Sequence, residues 1–276
     1  MRAFRDPFIG VAVVSLAAQV AGAQTPVASE SIPALLQEVM KNHRRQANLL
    51  TEFTADRTVT NRDRNWRGVV EEETRVSEHY QSWNRSLDVV ISVDGKVRSA
   101  SKIQEDREEA GHYMEIDMKS RPETAGAEGP EYGSRKGKFS MSIFQIFRHA
   151  AFTNQRAEVF NGRPAIVLDF APNPTLDHPP LPVDHLCGTV WIDATDRITA
   201  KLIAHMYPDT AKTEPVFVQA YERSSEGTWL GTYTRLNPSV KPEWFSDETF
   251  DWVIETRNYR RFGTEPADIK QVNRKR

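Results

Sequence analysis

Two Asp-His pairs, Asp177-His178 and Asp184-His185, stand close to the single cysteine, Cys187, and make the one stretch of this chain with evident metal-binding chemistry. Imidazole, carboxylate and thiolate can all ligate zinc, so His178 and His185 are the candidate ligands. Their spacing matches no closed zinc pattern. They also sit in a proline-rich excursion, APNPTLDHPPLPVDHL, where His and Asp are at home as exposed polar residues. The reading is therefore no resident metal and no cofactor, with the His178/His185 loop of a metal-dependent hydrolase kept as an alternative. Glu71-Glu72-Glu73 resembles an acid–base cluster, but in a strand the middle residue points to the opposite face, which makes it a solvated edge. Asp193 and Asp196 flank a turn, where Asp is favoured because it hydrogen-bonds its own backbone. The sequence holds no G-x-S-x-G elbow, no H-E-x-x-H, no phosphate loop and no dinucleotide fingerprint. No catalytic residue is assigned, and the chain reads as non-enzymatic.

What must position any site is a succession of long hairpins. Asn161-Gly162 lies between two apolar runs, and both residues of a type I′ turn need positive φ, which Asn and Gly tolerate best. Asp94-Gly95 is a second such turn, and Ser225-Glu226-Gly227 a third hairpin connection. In RITAKLIAHM, Ile198, Ala200, Leu202, Ala204 and Met206 alternate with Arg197, Thr199, Lys201 and His205, the pattern of a sheet with one buried and one wet face. Similar alternation runs through TEFTADRTVT, NWRGVVEEETRVSEHY, RSLDVVISV and the closing ETFDWVIETRNYRRF, for about eleven strands in all. The fold class is mainly β with added helices, α+β.

Two helices stand out. Ile32, Leu35, Leu36, Val39, Met40, His43, Ala47 and Leu50 form one apolar stripe behind a Ser31 cap and Pro33. FSMSIFQIFRHAAF is the second, with Phe139, Ile143, Phe144, Ile146, Phe147, Ala150 and Ala151 on a broad apolar face and Ser140 or Ser142 as cap. A third, Lys102–Met118, has few apolar residues and reads as an exposed helix within a charged, mobile insertion at 100–138.

The ends and the composition bound the class. Arg2 and Arg5, the apolar stretch Phe8–Val20 and Ala21-Gly22-Ala23 have the pattern of a signal peptide spanning 1–23, with cleavage between Ala23 and Gln24. The expected location is the periplasm or the exterior, and the remaining 24–276 form a single domain without a membrane span. A net charge of −2 over 276 residues argues against nucleic acid as a partner. One cysteine permits no intramolecular disulfide, so Cys187 is expected to be a small buried hydrophobe.

GRPAIVLDFAPNP, GTVWIDATDRITAKLIAHM, GTWLGTYTRLN and NYRRFG, in that order, resemble a group of exported bacterial envelope proteins organised like the LolA/LolB/RseB superfamily, which includes the outer-membrane lipoprotein-sorting carriers. The resemblance implies a curved antiparallel sheet forming an unclosed half-barrel, with two or three helices over its concave face. It also implies that this face holds acyl chains or hydrophobic peptide. The ligand-lining candidates it suggests are Leu35, Val39, Ile143, Phe144 and Phe147 from the helices, with Val190 or Trp191 from the sheet. The charged segment 100–138 departs from the simplest carriers. Two expectations follow: a carrier of a lipid or lipidated partner in an apolar cleft, or an envelope protein-interaction or sensing module with a filled core.

Overall fold

The computed structural model describes residues 30–50, 53–64, 70–81, 86–119, 132–133, 140–176, 183–208, 214–237 and 249–261. The signal-peptide and cleavage-site expectation at Ala23 and Gln24 lies outside them, as do Asp177 and His178.

Eleven strands form one antiparallel sheet. A first meander comprises β1 (Phe53–Arg64), β2 (Val70–Gln81), β3 (Ser86–Val93) and β4 (Lys96–Val97). A second comprises β7 (Ala150–Phe160), β8 (Arg163–Pro172), β9 (Leu186–Asp193), β10 (Thr199–Met206), β11 (Phe217–Arg223), β12 (Trp229–Leu236) and β13 (Thr249–Arg261). Two-residue strands β5 (Tyr132–Gly133) and β6 (Ser140–Met141) pair with each other as a separate sheet. The spatial order is β4-β3-β2-β1-β13-β12-β11-β10-β9-β8-β7, so the closing strand β13 joins the two meanders by pairing with both β1 and β12. Strands β4 and β7 stand at the two ends and are not paired to each other, which leaves the sheet open.

The turns obey their local chemistry. Asp94-Gly95 and Asn161-Gly162 both adopt φ of 49° and 75°, and Val93↔Lys96 and Phe160↔Arg163 close the two-residue loops. Extra residues interrupt the ladders near Thr54, Asn154, Thr199 and Ala220. Such bulges bend and twist a strand. The one between Thr199 and Lys201 also breaks the strict alternation expected for RITAKLIAHM. Leu202, Ala204 and Met206 enter the main core, while Ile198 and Ala200 join Trp229 in a separate cluster.

Helix α1 (Ile32–Leu50) and helix α3 (Ile143–His149) cover one face of the sheet, where Leu35, Val39, Ile146, Leu168, Val190 and Leu202 pack together. Helix α3 is shorter than the apolar run suggests. Ser142 Oγ accepts from the Gln145 N–H and Gln145 Oε1 from the Ser142 N–H, each at 3.3 Å, a reciprocal cap that sets the start. The extended backbone of Ala150 sets the end, so Ala150 and Ala151 belong to β7 and not to a helical face. Replacing Ser142 with Ala is expected to cost about 1 kcal/mol in urea unfolding; an unchanged midpoint would show that tertiary packing alone holds α3.

The charged segment is better ordered by its neighbours than its composition implies. Helix α2 (Ala100–Lys119) lies on the opposite face of the sheet, against β2 and β3. Only Ile103, Ala110 and Met114 are needed to bury its inner side on Tyr80 and Val89. Arg107 Nε donates to Glu78 Oε2 at 2.9 Å, and Arg98 donates to Asp106 at 2.6 Å. The helix expected over Lys102–Met118 is thus present, with its inner side packed and not wholly exposed, because a few apolar residues at helical spacing suffice when a sheet face awaits them.

Candidate functional site

The helix-covered face is divided into a filled half and a hollow half. Over β8, β9 and β10 the first turns of α1 and most of α3 leave no room: Leu35, Val39 and Val190 are wholly buried and Phe147 nearly so. Further along, the sheet curls under the C-terminal half of α1. There His43, Gln46, Ala47 and Leu50 roof a cavity of about 380 Å³. Its floor comes from β1 (Phe53, Ala55, Arg57, Val59), β2 and β3 (His79, Gln81, Ser86, Asp88), β13 (Trp252, Ile254, Thr256, Tyr259) and the β11–β12 hairpin (Gln219, Tyr221, Trp229, Thr234). Strands as far apart in the order as β3 and β11 share this one hollow, which requires a strongly curved sheet. Its size falls within the range of about 300–1,000 Å³ typical of small-molecule sites.

Of the seven residues proposed to line a ligand, Ile143 and Phe144 reach the hollow. Leu35, Val39, Phe147 and Val190 sit in the filled core instead. Trp191, one residue after Val190, points to the other face of the sheet. There its Nε1 donates to Glu158 at 3.2 Å, and Phe160 and Lys201 flank the ring. Period two in β9 forbids Val190 and Trp191 from facing the same way.

The hollow is not uniformly apolar. Phe53, Leu50, Val59, Trp252 and Ile254 present hydrocarbon to it. On the β1–β2–β3 wall, His79 Nδ1 lies 2.8 Å from Asp88 Oδ1, and Arg57 approaches the same carboxylate at 3.4 Å. Burial pushes the His79 imidazole below its ordinary pKa, and the Asp88 hydrogen bond only partly opposes this. Burial works against the Asp88 carboxylate as well, yet the His79 bond and the Arg57 charge outweigh it and keep Asp88 ionised. A sequence signal for this cluster existed. In β1 the inward positions read Phe53, Ala55, Arg57, Val59, a single charge in an otherwise apolar series.

His43 fastens the roof. Its Nε2 accepts from the Thr199 N–H at 3.1 Å, and Phe144 and Tyr221 pack edge-on against the ring. Burial alone pushes its pKa down to about 4, so the ring is neutral at pH 7 and able to accept.

The metal alternative pairs His178 with His185, and His178 lies outside the described residues. His185 lies 3.3 Å from Asp184, in a single 3₁₀ turn. Cys187 is buried and free, as a small hydrophobe would be, with burial raising its thiol pKa. Among the described residues no three His, Cys, Asp or Glu side chains gather as a metal site. Glu72 and Glu73 are solvated ion-pair partners of Arg62 and Arg75. Among the described residues, no helix is long and apolar enough to cross a membrane.

No family model matches this chain, and no curated protein matches it. Among solved structures it is similar to a putative outer membrane lipoprotein-sorting protein domain from Vibrio parahaemolyticus, with 11% identity over 87% of this chain and 100% of that one at a TM-score of 0.36. It is also similar to a LolA superfamily protein from Nitrosomonas europaea, with 10% identity over 85% and 96% at 0.35. The Pseudomonas aeruginosa MucA/MucB complex matches with 10% identity over 85% of this chain and 100% of that one at 0.23.

Proposed function

We propose that this chain is an exported, non-enzymatic binding protein of the bacterial envelope that carries a lipid or acylated ligand under α1. The observation that carries this reading is the cavity of about 380 Å³ on the inner face of an open sheet, roofed by a helix that is fastened at His43. A well-packed domain leaves few voids larger than a water molecule, so a hollow of this size costs stability unless something occupies it. Each methylene moved from water into it contributes about 0.8 kcal/mol. At about 30 Å³ per non-hydrogen atom, the share of one water in the liquid, the hollow takes roughly a dozen such atoms, and a longer chain would emerge past α1. Release then requires the C-terminal half of α1 to move, or a partner that competes for the same surface. Export rests on the signal-peptide pattern of residues 1–23, which supports the periplasm or the exterior as the location.

The test is native mass spectrometry of protein purified from the periplasm of its own cell, with solvent extraction of whatever co-purifies. The expected result is an acylated species released on unfolding. Ala47→Trp, which puts an indole into the roof of the hollow, is expected to abolish that co-purification while far-UV circular dichroism stays unchanged. A bare protein that takes up no lipid would sink the carrier reading.

One observation favours the second reading, a protein-interaction module. Strand β7 lies at the end of the sheet order along 150–160, and Val159 on it is 76% exposed. Among the described residues this edge carries no further strand, and an edge of this length is a template for pairing with another chain. A bare protein that captures an extended peptide along β7 would support it.

A further inference from the structure

We infer that the hollow selects a single-chain amphiphile with an anionic headgroup, whose carboxylate or phosphate oxygens bind the guanidinium of Arg57 while the chain lies beneath α1. This rests on the carrier reading and specifies its ligand.

The argument begins with how poorly Arg57 is compensated. A guanidinium offers five N–H donors and cannot lose its charge. Here one nitrogen, NH1, reaches Asp88 at 3.4 and 3.5 Å, at the limit of a hydrogen bond. Nε is enclosed and has no partner among the described residues. Asp88 is meanwhile engaged at 2.8 Å by His79. Only about a fifth of the Arg57 side chain is exposed, and that part faces the hollow. A half-buried cation with a distant, shared counter-ion is a costly arrangement in an empty protein. A second anion at the guanidinium tip would relieve it, because charge-assisted bonds from arginine to carboxylate or phosphate are about twice as strong as neutral ones.

The surroundings fit a headgroup. Gln81, Ser86 and Thr256 line the hollow near Arg57 as neutral hydrogen-bonding groups, beside His79 and Asp88. Around them, Leu50 of α1, Phe53 of β1 and Ile254 of β13 offer hydrocarbon. A charged cluster set among apolar side chains, in a hollow that admits roughly a dozen heavy atoms, matches one chain with one charged end. It does not match a bulky uncharged lipid.

The test uses tryptophan fluorescence or calorimetry on the delipidated protein at pH 8, with dodecanoate, 1-dodecanol and acetate as probes below any micelle concentration. Dodecanoate is expected to bind at least tenfold more tightly than dodecanol, and acetate not measurably. Arg57→Gln should bring dodecanoate down to the level of dodecanol, and Arg57→Lys should restore most of the preference. Dodecyl phosphate in place of dodecanoate tells a phosphate headgroup from a carboxylate one; weaker binding of both than of the alcohol overturns the inference. Equal binding of acid and alcohol overturns the anionic headgroup while leaving the carrier reading intact. Tight binding of acetate overturns the amphiphile in favour of a free-anion site. Binding of no probe at all overturns both.

Discussion

A Gly188→Ala variant is expected to be recovered only as unfolded or aggregated material, with a stability loss above about 4 kcal/mol. Gly188 lies on β9 opposite Phe170 of β8 and Ala204 of β10. A Cβ at this position would overlap the carbonyl oxygen of Ile203 and lie 2.9 Å from Phe170 Cζ. The first obstacle is backbone, which cannot rotate away as a side chain can. The second is a ring buried in the main core among Leu168, Val190 and Met206. Accommodating one methyl therefore means separating β9 from β10 in the half of the domain that holds the fold together. Glycine in a strand interior commonly marks such a close approach. Gly162→Ala is the control: nothing lies within 4 Å of its would-be Cβ, and only the φ of 75° is unfavourable. That variant is expected to lose about 1–2 kcal/mol. Circular dichroism and soluble yield compare the two, and a Gly188→Ala protein melting like the parent would refute the account.

The second large effect is acid lability of the roof. His43 folds as the neutral ring with a pKa near 4, against an ordinary value of 6.5 in the unfolded chain. The unfolded state therefore takes up the proton first. The stability tied to this histidine is complete above pH 6.5 and is lost as the pH falls toward 4. The gap corresponds to about 3 kcal/mol. Protonation would also abolish the acceptor that receives the Thr199 N–H, so local release of α1 and of its ligand should accompany the loss. His79 acts in the same direction, whereas Asp88 and Asp193, whose pKa values are lowered, lose their contribution at lower pH. Urea unfolding from pH 7.5 to 4.5 measures the slope. His43→Gln keeps an acceptor for Thr199 but cannot charge, and should flatten much of it. An unchanged slope in that variant would move the effect elsewhere.

Filling and emptying thus coexist in one domain, and the difference follows from sheet curvature. Where β8–β10 run close under α1 and α3, large side chains from both layers interdigitate. Where β1–β3 and β11–β13 curl away, the same helix face looks across a gap.

Local sequence determined the parts that depend on neighbours in the chain. The Asp94-Gly95 and Asn161-Gly162 turns, the alternation in most strands, the α1 stripe and the Ser142 cap all appear where the residues place them. These features need only φ/ψ preference and periodicity, which act over a few residues. The tertiary structure alone decided which apolar positions fill a core and which face a hollow, because Leu35 and Leu50 share one stripe and differ only in what lies opposite. It decided that α2 docks on the outer face through Ile103, Ala110 and Met114. It also placed Arg57, His79 and Asp88 on one wall, since strand register brings together residues up to 31 positions apart. Period two says that two residues face the same side; only the curvature and pairing of the whole sheet say what they meet there.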